Sequence, residues 1–316
     1  MCNMPYNTVI LLGPTAVGKT VLGVRIASHC GWDIISADCR QVYRGLDIGS
    51  GKDLADYSVQ SKQVPYHLID IVTLEQEYNV FNFQQDFYAL FDEFSQKHKM
   101  PFVVGGTGMY LDSIVRGYEF VPVPENASLR SDLAGKSLAE LGEMLLSLKP
   151  DLHNKSDLLD RERTVRAIEI QLFMQSDAYK SQCEFYQKQQ KPKVNAIVLG
   201  TTLPREILRA RISKRLRERF EQGMIAEVEQ LHQDGYSWER LEKLGLEYRY
   251  ISEYLEGKIK TEEELFAQLN HAIQQFAKRQ ETWFRGMERK GVVIHWLPPV
   301  EDIEAKYEAA LALLRR

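Results

Sequence analysis

The segment VILLGPTAVGKT, from Val9 to Thr20, constrains the fold and chemistry of this chain more than any other stretch. Its first half is apolar, as in a buried parallel strand, and its second half fits the pattern G-x-x-x-x-G-K-[ST]. The glycines allow backbone N–H groups to surround an anion, and the Lys19 ammonium and the dipole of a following helix both favour negative charge. The spacing therefore predicts a phosphate site.

The pattern does not distinguish ATP or GTP from another diphosphate, so ATP binding stays open at this point. The Thr20 hydroxyl is the predicted ligand for a magnesium ion. The residues of the predicted phosphate loop are Gly13, Pro14, Thr15, Ala16, Val17, Gly18, Lys19 and Thr20.

Short apolar runs recur along the chain, with helix-prone stretches between several of them. They are Thr8–Leu12, Trp32–Asp38, His67–Val72, Pro101–Gly108, Asn195–Gly200 and Val292–Leu297. This alternation predicts an α/β fold in which a parallel sheet, like that of P-loop NTPases, is wrapped by helices.

The pattern changes between residues 119 and 193, where the sequence is polar and helix-prone and contains no good strand. We therefore expect an all-helical insertion at 119–193 between two parts of the core, 1–118 and 194–316. The second core part continues with a helical C-terminal region.

The composition is that of an ordinary soluble globular protein, with 316 residues of which 44% are hydrophobic and 27% charged. No apolar run approaches the roughly 20 residues that cross a bilayer, and the N-terminal stretch lacks the regions of a secretory leader. We expect a cytoplasmic protein with no membrane partner. The net charge of −4 argues against a generally basic surface but leaves room for a local basic patch.

The chain contains four cysteines, which are too few and too scattered for a disulfide framework or a C-x-x-C metal site. We expect reduced thiols at Cys2, Cys30, Cys39 and Cys183.

Two further segments follow predicted strands. In SADCRQVYRGLDIGSGK, which begins at Ser36, Asp38 lies at a strand's carboxyl end, beside the phosphate loop. In VVGGTGMYL, which begins at Val103, Thr107 lies at the start of the next helix. Structural alternatives remain open: Asp38 would hold a magnesium-bound water in a nucleotide hydrolase or cap a helix, and the glycines before Thr107 would serve close packing.

Two helical segments near the C-terminus carry clustered cations. In REILRARISKRLRERF, Arg211, Arg215 and Arg219 share a face suited to phosphate, although interleaved glutamates are equally consistent with a solvated, ion-paired helix. In FAKRQETWFR, Trp283 and Phe284 either stack on unstacked RNA bases or belong to the core, which is the commoner role for such a pair.

The order of these segments resembles one family, the tRNA dimethylallyltransferases, also called tRNA isopentenyltransferases or IPP transferases. The matching stretches run collinearly across nearly the whole chain: GPTAVGKT, ISADCRQVYRGLDIGSGK, PYHLIDIV, YNVFNFQQDF, VVGGTGMYL, RERTVRAIEI, RISKRLRERFEQGMIAEV, YLEGKI and QFAKRQETWFR. Several of these stretches would be unusual in any other P-loop protein.

The resemblance implies a reaction without ATP hydrolysis. The phosphate loop would bind dimethylallyl diphosphate with Mg²⁺, and the five-carbon group would pass to the exocyclic amine of the adenosine on the 3′ side of the anticodon. The tRNAs would be those that read codons beginning with U. The base would leave its stack and meet the donor from the opposite side of a channel, because chemistry on a base requires that the base be extruded.

By position, the resemblance assigns chemical roles. Asp38 would orient or deprotonate the adenine amine, and Thr107 would lie near the amine and the donor. Arg211 would join Lys19 in stabilising the leaving diphosphate, with Arg215 as a weaker candidate. The residues implied in binding the anticodon stem-loop of tRNA are Asp38, Cys39, Arg40, Gln41, Thr107, Glu162, Arg163, Thr164, Val165 and Arg166.

The chain also departs from the family pattern. Position 39 is commonly Ser and is Cys here, and the stretch from Lys243 to Arg249 differs enough that no tRNA contact is assigned to it. The sequence ends without a cysteine-histidine finger, as in the short bacterial form, and we expect a monomer.

Two other functions stay open. A P-loop small-molecule kinase would explain Lys19, Thr20 and Asp38 but leaves the basic helix without a role. A prenyltransferase acting on free adenylate would share the fold and donor, and the insertion and tail argue against it.

Overall fold

The computed structural model describes residues 5–59, 61–151, 158–188 and 191–315, the side chains of 184–188 excepted. The chain forms two compact units, one of residues 1–118 with 193–316 and the other of Glu119–Pro192. Lys193, which the sequence places in the insertion, thus belongs to the first unit.

The first unit is built on a six-stranded parallel sheet. The described strands are β1 (Thr8–Leu12), β2 (Ile34–Ala37), β3 (Ser58–Val59), β4 (Lys62–Gln63), β5 (Tyr66–His67), β6 (Phe102–Gly105), β7 (Ala196–Gly200) and β8 (Ile294–Trp296). The sheet order is β5-β2-β6-β1-β7-β8, and β3 and β4 form a separate antiparallel pair. The predicted α/β class with a parallel sheet is confirmed.

Helices cover both faces of this sheet. The described helices are α1 (Lys19–Cys30), α2 (Val80–Gln96), α3 (Gly108–Val115), α4 (Ala127–Leu133), α5 (Leu138–Leu148), α6 (Arg161–Met174), α7 (Asp177–Lys188), α8 (Arg205–Glu221), α9 (Met224–Gln233), α10 (Trp238–Glu242), α11 (Leu246–Leu255), α12 (Glu262–Arg289) and α13 (Ile303–Leu314). In the described part of the chain, every helix is too short or too polar to cross a membrane.

The central strand β1 shows how the two faces are covered. Its residues alternate between faces, as the pleat requires. Val9 and Leu11 pack in the core that contains residues of α1 and α13, whereas Ile10 and Leu12 pack in the core that contains residues of α2, α3 and α12. All are fully buried, which is why the run is uniformly apolar.

One predicted strand is largely wrong. The sequence predicts a strand over His67–Val72, but only Tyr66 and His67 pair with β2. Leu68 and Asp70 then adopt left-handed conformations, with φ of 61° and 56°, so the chain turns away from the sheet. Apolar residues in this run are buried in the core without extending the strand.

The second unit contains helices α4 to α7 among its described residues. Leu133, Leu141, Leu145 and Ile168 form its small core. Beside this core, the buried carboxylate of Glu169 accepts hydrogen bonds from both Arg130 and Arg166, which is the usual requirement for burying a charge.

Cys30, Cys39 and Cys183 form no disulfides, as expected, and Cys2 lies outside the described residues.

The closest approach between strands β2 and β6 occurs at Gly105. This glycine pairs with Ala37 on one side and Leu12 on the other, and a Cβ atom built on it would overlap the Ala37 carbonyl. A side chain at position 105 would overlap the backbone of Ala37 in the neighbouring strand, so glycine is required here.

We expect Gly105→Ala to lower the free energy of unfolding by about 1–3 kcal/mol, because the added methyl must separate the paired strands. Chemical denaturation would measure this loss. Gly286→Ala is the matched control, since Gly286 lies in helix α12 and a Cβ there would make only an ordinary contact of 3.7 Å with the Arg289 Nη2 atom, so alanine should be neutral or stabilising. Equal stability of both variants would contradict the steric account.

Candidate active site

A cavity of about 420 Å³ opens where β1, β2 and β6 end. Its lining includes Thr15, Lys19 and Thr20 after β1, Asp38 after β2, and Thr107 after β6. Ligands of open parallel sheets bind at this edge because the carboxyl ends of neighbouring strands meet there. The structure thus brings Thr15, Lys19 and Thr20 of the predicted phosphate loop to one cavity with Asp38 and Thr107, two of the three predicted catalytic residues, whereas the third, Arg211, lines a second cavity.

The phosphate loop has the conformation that its sequence predicts. Gly18 is left-handed, with φ of 89°, and immediately precedes helix α1, so the helix N-terminus faces the loop. The Lys19 ammonium donates a hydrogen bond to the Pro14 carbonyl at 2.6 Å. An anion in the loop would therefore meet both a helix dipole and a cation.

The Lys19 ammonium lies among protein atoms, and its removal from water disfavours the charged form of the side chain. The pKa of Lys19 is lowered to about 7, mainly by burial, while the Asp38 carboxylate acts to raise it and the Arg215 guanidinium acts to lower it. The lysine is therefore only partly charged near neutral pH until an anion binds beside it.

Asp38 and Thr107 are fixed to each other through the backbone. The Asp38 Oδ1 atom accepts a hydrogen bond from the Arg40 N–H at 2.9 Å, which closes a tight turn after β2. The Cys39 N–H donates to the Thr107 hydroxyl at 3.1 Å, and the Thr107 N–H donates to the Ala37 carbonyl at 3.2 Å. The carboxylate thus lies at a rigid position beside the Thr107 hydroxyl.

The presence of Cys at position 39, where the family commonly has Ser, leaves this arrangement intact, because the backbone N–H of this residue makes the bond to Thr107. Burial raises the pKa of the Cys39 thiol, so the side chain stays neutral at pH 7. Arg40 and Gln41 also line the cavity.

The three arginines of helix α8 lie at different depths. Arg215 lines the main cavity and also a second cavity of about 280 Å³, and both cavities include Lys19 and Thr20. Arg211 lines only the second cavity, beside Gly18. Burial and the neighbouring Arg219 lower the pKa of Arg215 to about 10, which still leaves it cationic at neutral pH.

Arg219 is buried, and its guanidinium binds residues of a neighbouring loop. Its guanidinium donates to the Ile48 carbonyl and to the Asp53 carboxylate, the latter at 3.1 Å. The three arginines that the sequence places on one face therefore have different surroundings: Arg215 lines both cavities, Arg211 lines the second cavity, and Arg219 binds a loop.

The sequence model of the family described as IPP transferase matches residues 41–287. The chain belongs to the IPP transferase family. The family match and the resemblance found in the sequence agree.

Relatives cover almost the whole chain. A protein of Treponema denticola named tRNA dimethylallyltransferase 2 is 51% identical over 92% of this chain and 96% of its own. A protein of Phocaeicola vulgatus with the same name is 48% identical over 98% of both chains. The crystal structure of the full-length tRNA isopentenylpyrophosphate transferase from Bacillus halodurans superposes with a TM-score of 0.67 at 27% identity, covering 98% of this chain and 97% of that one.

The cavity of this IPP transferase also contains Gln280 of α12, a residue that the sequence patterns do not single out. Its Oε1 atom accepts a hydrogen bond from the Thr15 N–H at 2.8 Å, and its Nε2 atom donates to the Gly106 carbonyl at 2.9 Å. Gln280 thus joins the phosphate loop to the turn after β6. The sequence signal for Gln280 is its position within AKRQETWFR, where the cations and aromatic rings are the more conspicuous residues.

The stretch from Lys243 to Arg249, to which no contact was assigned, also reaches the cavity. Gly245, Glu247 and Arg249 are among its lining residues. Burial raises the pKa of Glu247, against the effect of nearby Arg219 and Arg215. The cavity lining therefore contains Glu247 as well as Asp38, together with the carboxyl groups of Asp53 and Glu242.

The aromatic residues of α12 separate into two environments. Phe284 is fully buried in the core, whereas Trp283 is 42% exposed and packs against Gly108. Phe276 and Arg279 line the cavity on the same helix. The core alternative thus holds for Phe284 and not for Trp283.

The five residues assigned to tRNA binding in α6 are not equally accessible. Glu162 and Arg163 are exposed, but Thr164 is fully buried and its hydroxyl donates to the Asp160 carbonyl at 2.7 Å. Val165 packs against the small core of this unit, and Arg166 donates to Glu169 and to a backbone carbonyl. Thr164, Val165 and Arg166 thus contact other residues of their own unit, and the Arg163 N–H also donates to the Asp160 Oδ1 atom.

The titration of Lys19 makes anion binding depend on pH. The anion favours the charged lysine, so binding takes up a proton once the pH exceeds about 7, and affinity for pyrophosphate should fall as pH rises. The Lys19 contribution should approach tenfold per pH unit. Calorimetry from pH 6 to pH 9 would measure it.

Lys19→Arg supplies the control for this experiment, because arginine keeps its charge throughout that range. Titration of pyrophosphate itself affects both proteins equally, so their difference isolates Lys19. Identical pH slopes in the two proteins would contradict the lowered pKa.

Proposed function

We propose that this chain transfers a dimethylallyl group from dimethylallyl diphosphate to the exocyclic N6 amine of the adenosine on the 3′ side of the anticodon of tRNA. One observation carries the proposal: the phosphate loop and Asp38 share a single cavity, so a diphosphate ester and a proton acceptor meet there. The names of the relatives support tRNA as acceptor and the dimethylallyl group as cargo.

The leaving diphosphate would be bound by the phosphate loop. Lys19 and Thr20 line both cavities, and so does Arg215 of helix α8. Fixed cations and the dipole of a helix N-terminus stabilise the charge that grows on a leaving group. Because Arg215 lines both cavities and Arg211 only the second, we assign the main role to Arg215 and a role in donor entry to Arg211.

Asp38 would act as the proton acceptor. The adenine nitrogen forms a bond to the first carbon of the prenyl group as the bond from that carbon to the diphosphate oxygen breaks. The amine loses one proton to the Asp38 carboxylate, and the electron pair of the broken bond leaves with the diphosphate. The Thr107 hydroxyl, held beside Asp38 by the Cys39 N–H, would orient the amine.

Magnesium fits this donor set. The described residues contain no group of three or more His, Cys, Asp or Glu that would hold a metal by itself. The Thr20 hydroxyl and the Asp38 carboxylate nevertheless offer oxygen atoms in one cavity, and Mg²⁺ is usually held by few protein oxygens together with substrate phosphates and water. When bound, the ion would neutralise charge on the diphosphate.

The exposed side chains of the second unit, Glu162 and Arg163, are the proposed contacts to the anticodon stem. Buried Thr164 and Val165 and the paired Arg166 would act indirectly, by shaping helix α6. We propose that the protein works on tRNA in the cytoplasm, as a monomer.

The test is to incubate the chain with tRNA, Mg²⁺ and dimethylallyl diphosphate without ATP, and to analyse the nucleosides by mass spectrometry. We expect N6-isopentenyladenosine in the tRNA. Replacing tRNA by AMP tests the adenylate prenyltransferase, and supplying ATP without the donor tests the small-molecule kinase. Prenylation of AMP but not of tRNA, or ATP turnover alone, would contradict the proposal.

We expect Asp38→Asn to slow single-turnover transfer by at least about 100-fold, because an amide cannot accept the proton from the amine. The asparagine Oδ1 atom can still accept the bond from the Arg40 N–H, so the turn after β2 should survive. Rapid-quench measurement of transfer, together with separate measurement of tRNA affinity, checks this.

Asp302→Asn is the matched control, since the Asp302 Oδ1 atom makes the same kind of bond, to the Glu304 N–H, at the start of α13. It should transfer at the normal rate. A normal rate in Asp38→Asn would remove Asp38 as the base, and loss of magnesium-dependent donor binding alone would assign its carboxylate to the metal.

A further inference from the structure

A second glycine-rich loop borders the main cavity, and an internal carboxylate holds it. The loop is DIGSGKD, Asp47 to Asp53, hereafter the 47–53 loop. The Glu227 carboxylate of helix α9 accepts hydrogen bonds from the N–H groups of Asp47, Ile48 and Gly49, at 3.2, 2.7 and 3.1 Å. Three successive N–H groups around one anion form the same kind of nest that binds phosphate in a P-loop.

A fourth donor completes this arrangement. The buried Tyr248 hydroxyl donates to the Glu227 Oε1 atom at 2.8 Å, and its ring lies so close to Gly49 that a Cβ there would overlap it. Each oxygen of Glu227 therefore accepts two hydrogen bonds, Oε2 from Asp47 and Ile48 and Oε1 from Gly49 and the tyrosine.

The opposite side of the 47–53 loop supports the arginines of α8. Arg219 donates to the Ile48 carbonyl and the Asp53 carboxylate. Gly51, with φ of 70°, lies so close to the guanidinium groups of Arg215 and Arg219 that any side chain there would overlap both. The Gly51 carbonyl also accepts a bond from the Gln41 amide at 3.1 Å.

We infer that Glu227 is a positioning residue for the diphosphate site, acting through the 47–53 loop on Arg215. The inference rests on the proposed function for the identity of the anion. Glu227 is not among the residues that line the cavity, and it acts on the anion site only through the loop. Glu227 holds one side of the loop, and the guanidinium of Arg215 packs against the other, so displacement of the loop moves the cation that faces the leaving group.

The four donors make Glu227→Gln a sharp perturbation. An amide offers one oxygen, so in either orientation its NH₂ group faces two of the donors and cannot accept from them. Two donors lose their partner while the side chain keeps its size. Glu229, on the same helix and exposed, provides the matched control Glu229→Gln.

The experiment measures pyrophosphate binding to the full chain by calorimetry. We expect Glu227→Gln to weaken binding by about tenfold and Glu229→Gln to leave it unchanged. In a background of Arg215→Met, the Glu227 change should have little further effect, because it acts through that arginine. Tyr248→Phe removes one of the four donors and should weaken binding by about threefold. This variant replaces Glu227→Gln as the test if Glu227→Gln folds poorly.

Three outcomes would overturn the inference: unchanged binding in Glu227→Gln, an equal loss in the Glu229 control, or the full effect of the Glu227 change in the Arg215→Met background. In transfer assays, the donor KM should rise while the tRNA KM stays constant, which a loss of folded protein would not produce. If the wild-type chain binds pyrophosphate with this pattern but fails to prenylate tRNA, only the proposed function is contradicted.

Discussion

The parallel pairing of β2, β6 and β1 is the constraint on which the site depends. Parallel strands end at a common edge, so the residues that follow them are brought together although they are far apart in sequence. Gly105 allows β2 and β6 to approach as closely as backbone atoms permit. The bond from the Cys39 N–H to the Thr107 hydroxyl is a consequence, since it joins the turns after those two strands.

Local patterns predict local features of this chain well. The phosphate loop and helix α1 follow from residues within about 20 positions of one another, because glycine conformation and helix capping are local. The strand predicted over His67–Val72 fails for a related reason: apolar residues signal burial, but nothing in them signals the left-handed backbone of Leu68 and Asp70. Burial and extension are separate properties, and the pattern reports only the first.

Features that depend on packing between distant segments were not predictable. Gln280 lies 265 residues from Thr15, and only the packing of α12 beside the sheet brings them together. Helical spacing places Arg211 and Arg215 on one face but says nothing of depth, which depends on where that helix lies against the cavity. Thr164 is polar and would be expected at the surface, but a bond to Asp160 allows its burial.

The electrostatics of the site follow from the same enclosure. Without a ligand, the Lys19 ammonium and the Arg215 guanidinium are both desolvated and repel one another, and the pKa of each is lowered. The Asp38 carboxylate offsets only part of the lowering of the Lys19 pKa. Under the proposed function, a bound diphosphate would favour the charged form of Lys19 and would offset the repulsion between the two cations.

This arrangement also explains why the cations need a rigid support. A flexible arginine would escape the repulsion by moving toward solvent, and its charge would then be screened from the leaving group. The 47–53 loop prevents this, because Gly51 packs against the guanidinium groups of both Arg215 and Arg219, and Arg219 is bonded to Ile48 and Asp53. Under the proposed function, the charge would be held in place before the donor binds, which is the condition under which electrostatic stabilisation of a transition state is effective.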